Sequence, residues 1–181
     1  MSMVQKETGL VQVYTGDGKG KTTAALGLAL RALGRGLKVV VVEFMKESPM
    51  GTGELETAER LAPDLVVKQF DGNFLGGVAP EKFKEVKGSV EKGFEFVREI
   101  MTKHACDILV LDEISHVMNF GVMDVKEVLK LIDEKSEDME LILTGRDMPK
   151  EILDRADLIT EMRRVKHPFE KGVVARRGIE Y

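Results

Sequence analysis

Thr15-Gly16-Asp17-Gly18-Lys19-Gly20-Lys21-Thr22-Thr23 is the stretch that decides the fold of this chain. An apolar run, Leu10–Tyr14, enters it, and a helix-favouring run, Ala24–Leu33, leaves it. Strand, glycine-rich loop, Gly-Lys-Thr and helix in that order are the layout of a phosphate-binding loop. Gly16, Gly18 and Gly20 carry no Cβ, so the backbone can turn sharply and aim its N–H groups inward. The helix adds unpaired N-terminal amides and the positive end of its dipole. Lys21 supplies a point charge for the terminal phosphates, and the Thr22 hydroxyl is placed to ligate Mg²⁺. The pattern therefore predicts a nucleoside triphosphate held with Mg²⁺ by Gly16, Asp17, Gly18, Lys19, Gly20, Lys21, Thr22 and Thr23. Lys19 reads equally as a phosphate ligand or as a solvated loop lysine. Thr15 stands where the usual loop begins with Gly.

A second nucleotide signal lies at Ile108-Leu109-Val110-Leu111-Asp112-Glu113. An apolar strand ends there in two carboxylates, and an anion beside a triphosphate calls for a cation between them. Asp112 and Glu113 are both candidate Mg²⁺ ligands, and the spacing does not choose between them. Arg146, in Thr144-Gly145-Arg146, has the reach and charge to bind phosphate or a substrate carboxylate, and reads nearly as well as a solvated arginine. His104, His116 and His167 are too scattered to form a metal cluster.

Around these motifs, apolar runs alternate with helical patterns, which reads as βαβ units and a mainly parallel sheet. Strands are expected at Leu10–Tyr14, Lys38–Phe44, Leu65–Phe70, Asp107–Leu111, Glu140–Thr144 and Asp157–Met162. Helices are expected at Thr22–Leu33, Glu54–Leu61, 80–104, Val125–Ser136 and Met148–Arg155. In the long helix, Phe83, Val86, Val90, Phe94, Val97, Ile100 and Met101 recur at helical spacing and read as core. The four valines of the second strand point to burial on both faces. The sum is a three-layer α/β fold of the P-loop NTPase (RecA-like) kind, a mainly parallel central sheet flanked by helices. Its loops after Tyr14, Phe44, Phe70, Leu111 and Thr144 should share one rim, where open sheets of this kind place their sites.

The chain has 181 residues, 43% hydrophobic and 32% charged, with a net charge of −4. That suits one domain over 1–181, with residues 1–9 as a flexible lead-in. The acidic balance argues against a nucleic-acid partner. No apolar run approaches the ~20 residues of a membrane span, and no signal peptide is evident. A single cysteine, Cys106, excludes an internal disulfide and suits a cytoplasmic protein; its place beside a strand reads as a buried, inert thiol.

Several segments together resemble the ATP:corrinoid adenosyltransferases. They are Thr15–Ala25, Phe44-Met45-Lys46, Leu109–Glu113, Leu143–Arg146, Ala156–Met162 and Lys166-His167-Pro168-Phe169 with the closing Gly178-Ile179-Glu180-Tyr181. Thr in the first place of the phosphate loop is typical of that family, and the tail motif is its most specific part. The resemblance implies that Co(I) of a corrinoid attacks C5′ of ATP and that the whole triphosphate leaves. Co(I) is already a strong nucleophile, so the protein needs no general base and has to stabilise the leaving group. Lys21 and Glu113 are the catalytic candidates on this reading. Lys46, Phe74 and His167 are the corrinoid-contact candidates. Family members place aromatic side chains after the third strand to favour a reducible cobalt. Their Gly-Phe-Thr-Trp appears here as Gly72-Asn73-Phe74-Leu75, without the Trp. The resemblance also implies ATP as co-substrate, a homodimer, and an electron donor such as a reduced flavoprotein. The phosphate loop alone leaves a rival open, a phosphotransferase or ATPase acting at the γ-phosphate. A nucleotide-dependent binding module without chemistry is the third possibility.

Overall fold

A computed structural model describes residues 8–46, 51–70 and 80–180. Six strands form one sheet: β1 (Val11–Thr15), β2 (Val39–Phe44), β3 (Leu65–Phe70), β4 (Ile108–Asp112), β5 (Glu140–Thr144) and β6 (Leu158–Glu161). Their order across the sheet is β3-β2-β4-β5-β1-β6. Every pairing is parallel, so the sheet is wholly and not only mainly so. Among the described residues six α-helices lie between them: α1 (Lys21–Leu33), α2 (Gly53–Leu61), α3 (Pro80–Thr102), α4 (Ile114–Asn119), α5 (Val125–Glu134) and α6 (Lys150–Leu153).

The two faces of the sheet are read off by period-two alternation. Val39, Val41, Ile108, Val110 and Ile142 pack with Ala25, Ala29 and Ala32 of α1 and Ala58 of α2. Val40, Val42, Leu109, Leu111, Leu141 and Leu143 face the other way, onto α3, α4, α5 and α6. Small alanines on α1 let that helix lie close to the strands, while the larger Val90, Phe94 and Val97 of α3 fill the opposite layer. The result is three layers, helix–sheet–helix. All six residues of β2 are buried, as two covered faces require.

Most boundaries differ from the sequence expectation by one or two residues, within ordinary fraying. Three differences have physical content. Gly9 is not part of a loose lead-in, because its N–H donates to Glu137 O at 2.7 Å and its C=O accepts from Lys135 Nζ at 2.7 Å. A Cβ there would stand 2.1 Å from Met139 O. Second, α4 escaped the sequence reading because it is only six residues long, too short for a period. Third, the segment after β6 forms a single 3₁₀ turn, Pro168–Lys171, within an exposed strap. Cys106 is buried, and burial next to Asp107 pushes its thiol up to about 12, so it is inert at neutral pH.

Candidate functional site

Parallel pairing brings the carboxyl ends of all six strands to one rim, and a cleft of about 680 Å³ opens there. The phosphate loop forms its floor. Gly18, Lys19, Gly20, Lys21, Thr22 and Thr23 line it, with Lys46, Glu54, Glu113 and Arg146 around them and His167 and Gly178–Glu180 from the strap.

The loop glycines have a second reason to lack a side chain. A Cβ on Gly16 would meet Met162 O at 2.5 Å, and one on Gly18 would meet Met162 O at 2.6 Å and Arg163 C at 2.8 Å. The loop is thus pressed against the chain leaving β6, and Gly18 N donates to Met162 O at 2.7 Å. Gly16 and Gly20 also take φ values of 97° and 124°, which side chains disfavour. Met162, the neighbour that imposes this, ends the Ala156–Met162 segment of the sequence reading, but nothing in the sequence placed it against the loop.

Lys21 is buried, and its ammonium donates to Gly16 O and Gly18 O, both at 2.8 Å. Burial lowers its pKa below the ordinary lysine value, against the pull of Glu113. The chain thereby holds a desolvated cation at the centre of its loop, where an anion gains most from it. Lys19 turns the other way, donating to Ile179 O at 3.1 Å and Glu180 Oε1 at 2.8 Å. Asp17 also faces away: its Oδ1 accepts from Arg164 N at 3.0 Å, and it is not among the residues lining the cleft. The strap is therefore tied to the phosphate loop at both residues.

Thr22 and Asp112 meet across the cleft floor. Thr22 Oγ1 donates to Asp112 Oδ2 at 3.0 Å, and Thr144 Oγ1 donates to Asp112 Oδ1 at 2.7 Å. Asp112 is completely buried, with both oxygens bonded. Glu113 differs. Its φ of 57° puts it in the left-handed region, a conformation that costs energy for a non-glycine residue. Its N–H is held by Thr144 Oγ1 at 3.0 Å, and its buried Oε2 has no hydrogen-bond partner. His116 Nδ1 stands 3.3 Å from that oxygen, an ion-pair partner when protonated. Next to it, Gly145 has φ 143°, and a Cβ would come within 2.0 Å of Ser115 Oγ. That contact explains the Gly in Thr144-Gly145-Arg146.

Among the described residues no group of three or more His, Cys, Asp or Glu side chains converges to hold a metal ion unaided. Thr22 and Asp112 nevertheless place hard oxygen donors side by side. One or two protein oxygens are the usual share for Mg²⁺ when phosphates and water complete its shell, so the donor set fits that ion.

The rim beyond Asp112 holds a buried polar network that sequence reasoning missed. In register across three strands stand Gln69, Glu43 and Asp112. Glu43 is completely buried and accepts from Lys46 Nζ at 2.5 Å and Gln69 Nε2 at 2.7 Å. Lys46 also donates to Glu54 Oε1 at 2.6 Å and lies 3.6 Å from Asp112 Oδ2. Burial raises the Glu43 carboxyl to about 7, against the pull of Lys46. Burial opposes the Lys46 charge too, but Glu43 and Asp112 outweigh it and push its pKa above the ordinary value. The available signal was an acid interrupting the Val39–Phe44 apolar run near the rim end of its strand. His167 lies at the cleft mouth, where its Nδ1 accepts from Phe169 N at 3.2 Å and caps the 3₁₀ turn. Phe74 lies outside the described residues.

Comparison with known proteins converges. The family model for ATP:corrinoid adenosyltransferase BtuR/CobO/CobP matches residues 7–181. A corrinoid adenosyltransferase of a Sinorhizobium species is 34% identical over 182 residues, covering 100% of this chain and 84% of that protein. The corrinoid adenosyltransferase of Escherichia coli K12 is 31% identical, covering 100% and 90%. The corrinoid adenosyltransferase CobA of Salmonella typhimurium LT2 is 34% identical with the same coverage. Among solved structures, the flagellar accessory protein FlaH of Methanocaldococcus jannaschii superposes with a TM-score of 0.57 at 14% identity, over 85% of this chain and 71% of that one. At that identity the likeness concerns the fold alone.

Proposed function

The chain belongs to the ATP:corrinoid adenosyltransferase family, and from that membership we propose how its cleft works. It is an enzyme of adenosylcobalamin synthesis that uses ATP as co-substrate and a corrinoid as acceptor. In the reaction, Co(I) forms a bond to C5′ as the C5′–O bond breaks. The electron pair of that bond leaves with tripolyphosphate, and the cobalt ends formally as Co(III).

The observation that carries this reading is the Thr22–Asp112 hydrogen bond on the floor of a glycine-lined cleft walled by the strap. The backbone amides of residues 16–23 and the start of α1 grip the polyphosphate. Lys21 leaves its two loop carbonyls and donates to phosphate oxygens that gain charge as the bond breaks. Arg146 contributes a second cation from the rim after β5. Thr22 and Asp112 are the residues to hold Mg²⁺, with Glu113 reaching the same region from its strained position. That ion, when bound, neutralises charge on the departing tripolyphosphate. Asp17 keeps the loop in place through Arg164, and Lys19 joins the phosphate site by exchanging Glu180 for a phosphate oxygen. Lys46 and His167 are the cleft residues assigned to the corrinoid, and Phe74 is the further candidate that the family resemblance supplies. No general base is assigned, since the nucleophile carries no proton to remove.

The remaining features of the reading are a single domain over 1–181, a homodimer, a cytoplasmic setting, and a donor such as a reduced flavoprotein that supplies Co(I). Among the described residues, no helix is long and apolar enough to cross a membrane.

The test is an anoxic incubation with ATP, Mg²⁺ and chemically reduced corrinoid. Tripolyphosphate and a light-sensitive cobalt–carbon product in equal amounts are expected. ADP and inorganic phosphate, formed with or without corrinoid, would overturn the reading in favour of γ-phosphate chemistry.

A further inference from the structure

We propose that Glu43 is a positioning residue that keeps the Lys46 ammonium off Asp112, and so leaves Asp112 Oδ2 free to hold a divalent cation. The inference rests on Thr22 and Asp112 as the cation's protein donors. It assigns a task to a completely buried acid for which the reaction itself has no use.

The geometry is a competition for one ammonium. Lys46 Nζ lies 2.5 Å from Glu43 Oε1 and 2.6 Å from Glu54 Oε1, but 3.6 Å from Asp112 Oδ2. Asp112 has little to spare. Its Oδ1 is taken by Thr144 Oγ1, so Oδ2, shared with Thr22, is the oxygen left for a cation. A lysine that moved about an ångström closer would form a full charge-assisted bond to Oδ2. The carboxylate would then be neutralised within the protein, and a divalent ion would have to displace a buried ammonium to bind.

Glu43 prevents this by position and by charge. It sits on β2 directly in register with Asp112 on β4, and Met45 in the left-handed region, with φ 54°, turns the chain after β2. Lys46 therefore folds back three residues onto Glu43 and does not extend along the rim. Gln69 on β3 holds the far oxygen of Glu43 at 2.7 Å and is itself tied to Thr52 Oγ1 at 3.1 Å. The acid is thus anchored on the side away from Asp112. Removing its charge while keeping its shape leaves Glu54 and Asp112 as the anions around Lys46, so the pull of Asp112 on the ammonium is no longer balanced from the β2 side.

The experiment is direct binding of Mn²⁺, as the spectroscopic substitute for Mg²⁺, to the full chain with ATP present and no corrinoid. Glu43→Gln is expected to weaken Mn²⁺ binding by about tenfold, while ATP binding without a divalent ion stays unchanged. The double variant Glu43→Gln with Lys46→Met removes the competing ammonium, at the cost of the Glu54 ion pair, and is expected to bind Mn²⁺ as tightly as the parent protein or more so. Parental Mn²⁺ affinity in Glu43→Gln overturns the proposal. So does a double variant as weak as Glu43→Gln alone, because the effect would then not run through Lys46. A parent protein that binds no Mn²⁺ with ATP overturns the Thr22–Asp112 assignment itself, a separate failure. Circular dichroism of each variant confirms the fold, and the double variant decides the matter should Glu43→Gln alone fail to fold.

Discussion

Thr22 Oγ1 and Asp112 Oδ2 lie 3.0 Å apart, so the first turn of α1 and the end of β4 are joined at the floor of the cleft. Ninety positions separate them in the sequence, and the parallel register of β4 between β2 and β5 brings them together. With both partners in place, Asp112→Asn is expected to raise the Mg²⁺ concentration for half-maximal turnover by roughly tenfold or more, the loss of one charge-assisted contact. Thr22→Ser should keep the hydroxyl and the parental Mg²⁺ response, whereas Thr22→Val should not. Titration of turnover against Mg²⁺ at saturating ATP checks all three, and an unchanged midpoint in Asp112→Asn would remove that residue from the metal's shell.

Lys21 is the buried cation at the centre of the loop. A charge-assisted hydrogen bond contributes about 1.5–3 kcal/mol, so Lys21→Met is expected to slow turnover by roughly 10- to 100-fold. If the lysine acts on the leaving group, kcat falls more than KM for ATP rises. A change confined to KM would mean that the lysine binds ATP and its transition state equally.

Gly18 carries a contact that motif reading does not contain. A Cβ there would sit 2.6 Å from Met162 O and 2.8 Å from Arg163 C, both backbone atoms that cannot swing aside. Gly18→Ala should therefore push the loop off the chain after β6, with a destabilisation of about 1–3 kcal/mol. Thermal unfolding and ATP titration should both register the change. Parental values in both would show that the loop has room to adjust.

Glu180 ties the strap to the loop through Lys19 and is held within the strap by Arg176. The bonds from Arg176 and then Lys19 depress its carboxyl to about 2, below the ordinary value of 4.5. A carboxyl depressed in the folded state stabilises it fully above the unfolded pKa, and that contribution disappears as pH falls through the folded one. The strap contact should thus be intact at pH 6 and weaken between about 4.5 and 2. Carboxyl NMR of Glu180 is expected to titrate near the lower limit, and Lys19→Ala should move its midpoint upward. A midpoint near the ordinary glutamate value in the parent protein would show that the latch does not form in solution.

Much of the fold was legible because its signals are local. The alternation of valine-rich runs with helical patterns placed all six strands, and β3 and β5 have the bounds that the sequence reading assigned. The Val86-Val90-Phe94-Val97 spacing marked the buried face of α3. The phosphate loop was recognisable because its glycines, lysine and threonine are consecutive. Glu43, Glu54 and Gln69 were not, since their significance arises only where three parallel strand ends and α2 converge around Lys46. For the same reason the contacts of Met162 and Ser115 had no signal, although they dictate Gly16, Gly18 and Gly145.

The amino-acid order by itself determined that this chain binds a polyphosphate on a parallel α/β sheet, because backbone turns, helix starts and apolar periods are written in neighbouring residues. Which of two adjacent acids faces Thr22 was decided only in three dimensions. Asp112 ends the regular strand pleat and points with Ile108 and Val110 toward α1, while Glu113 leaves the pleat through a left-handed turn. Two carboxylates one residue apart are alike in sequence, and only the strand's two-residue period and the helix packed against it make them different.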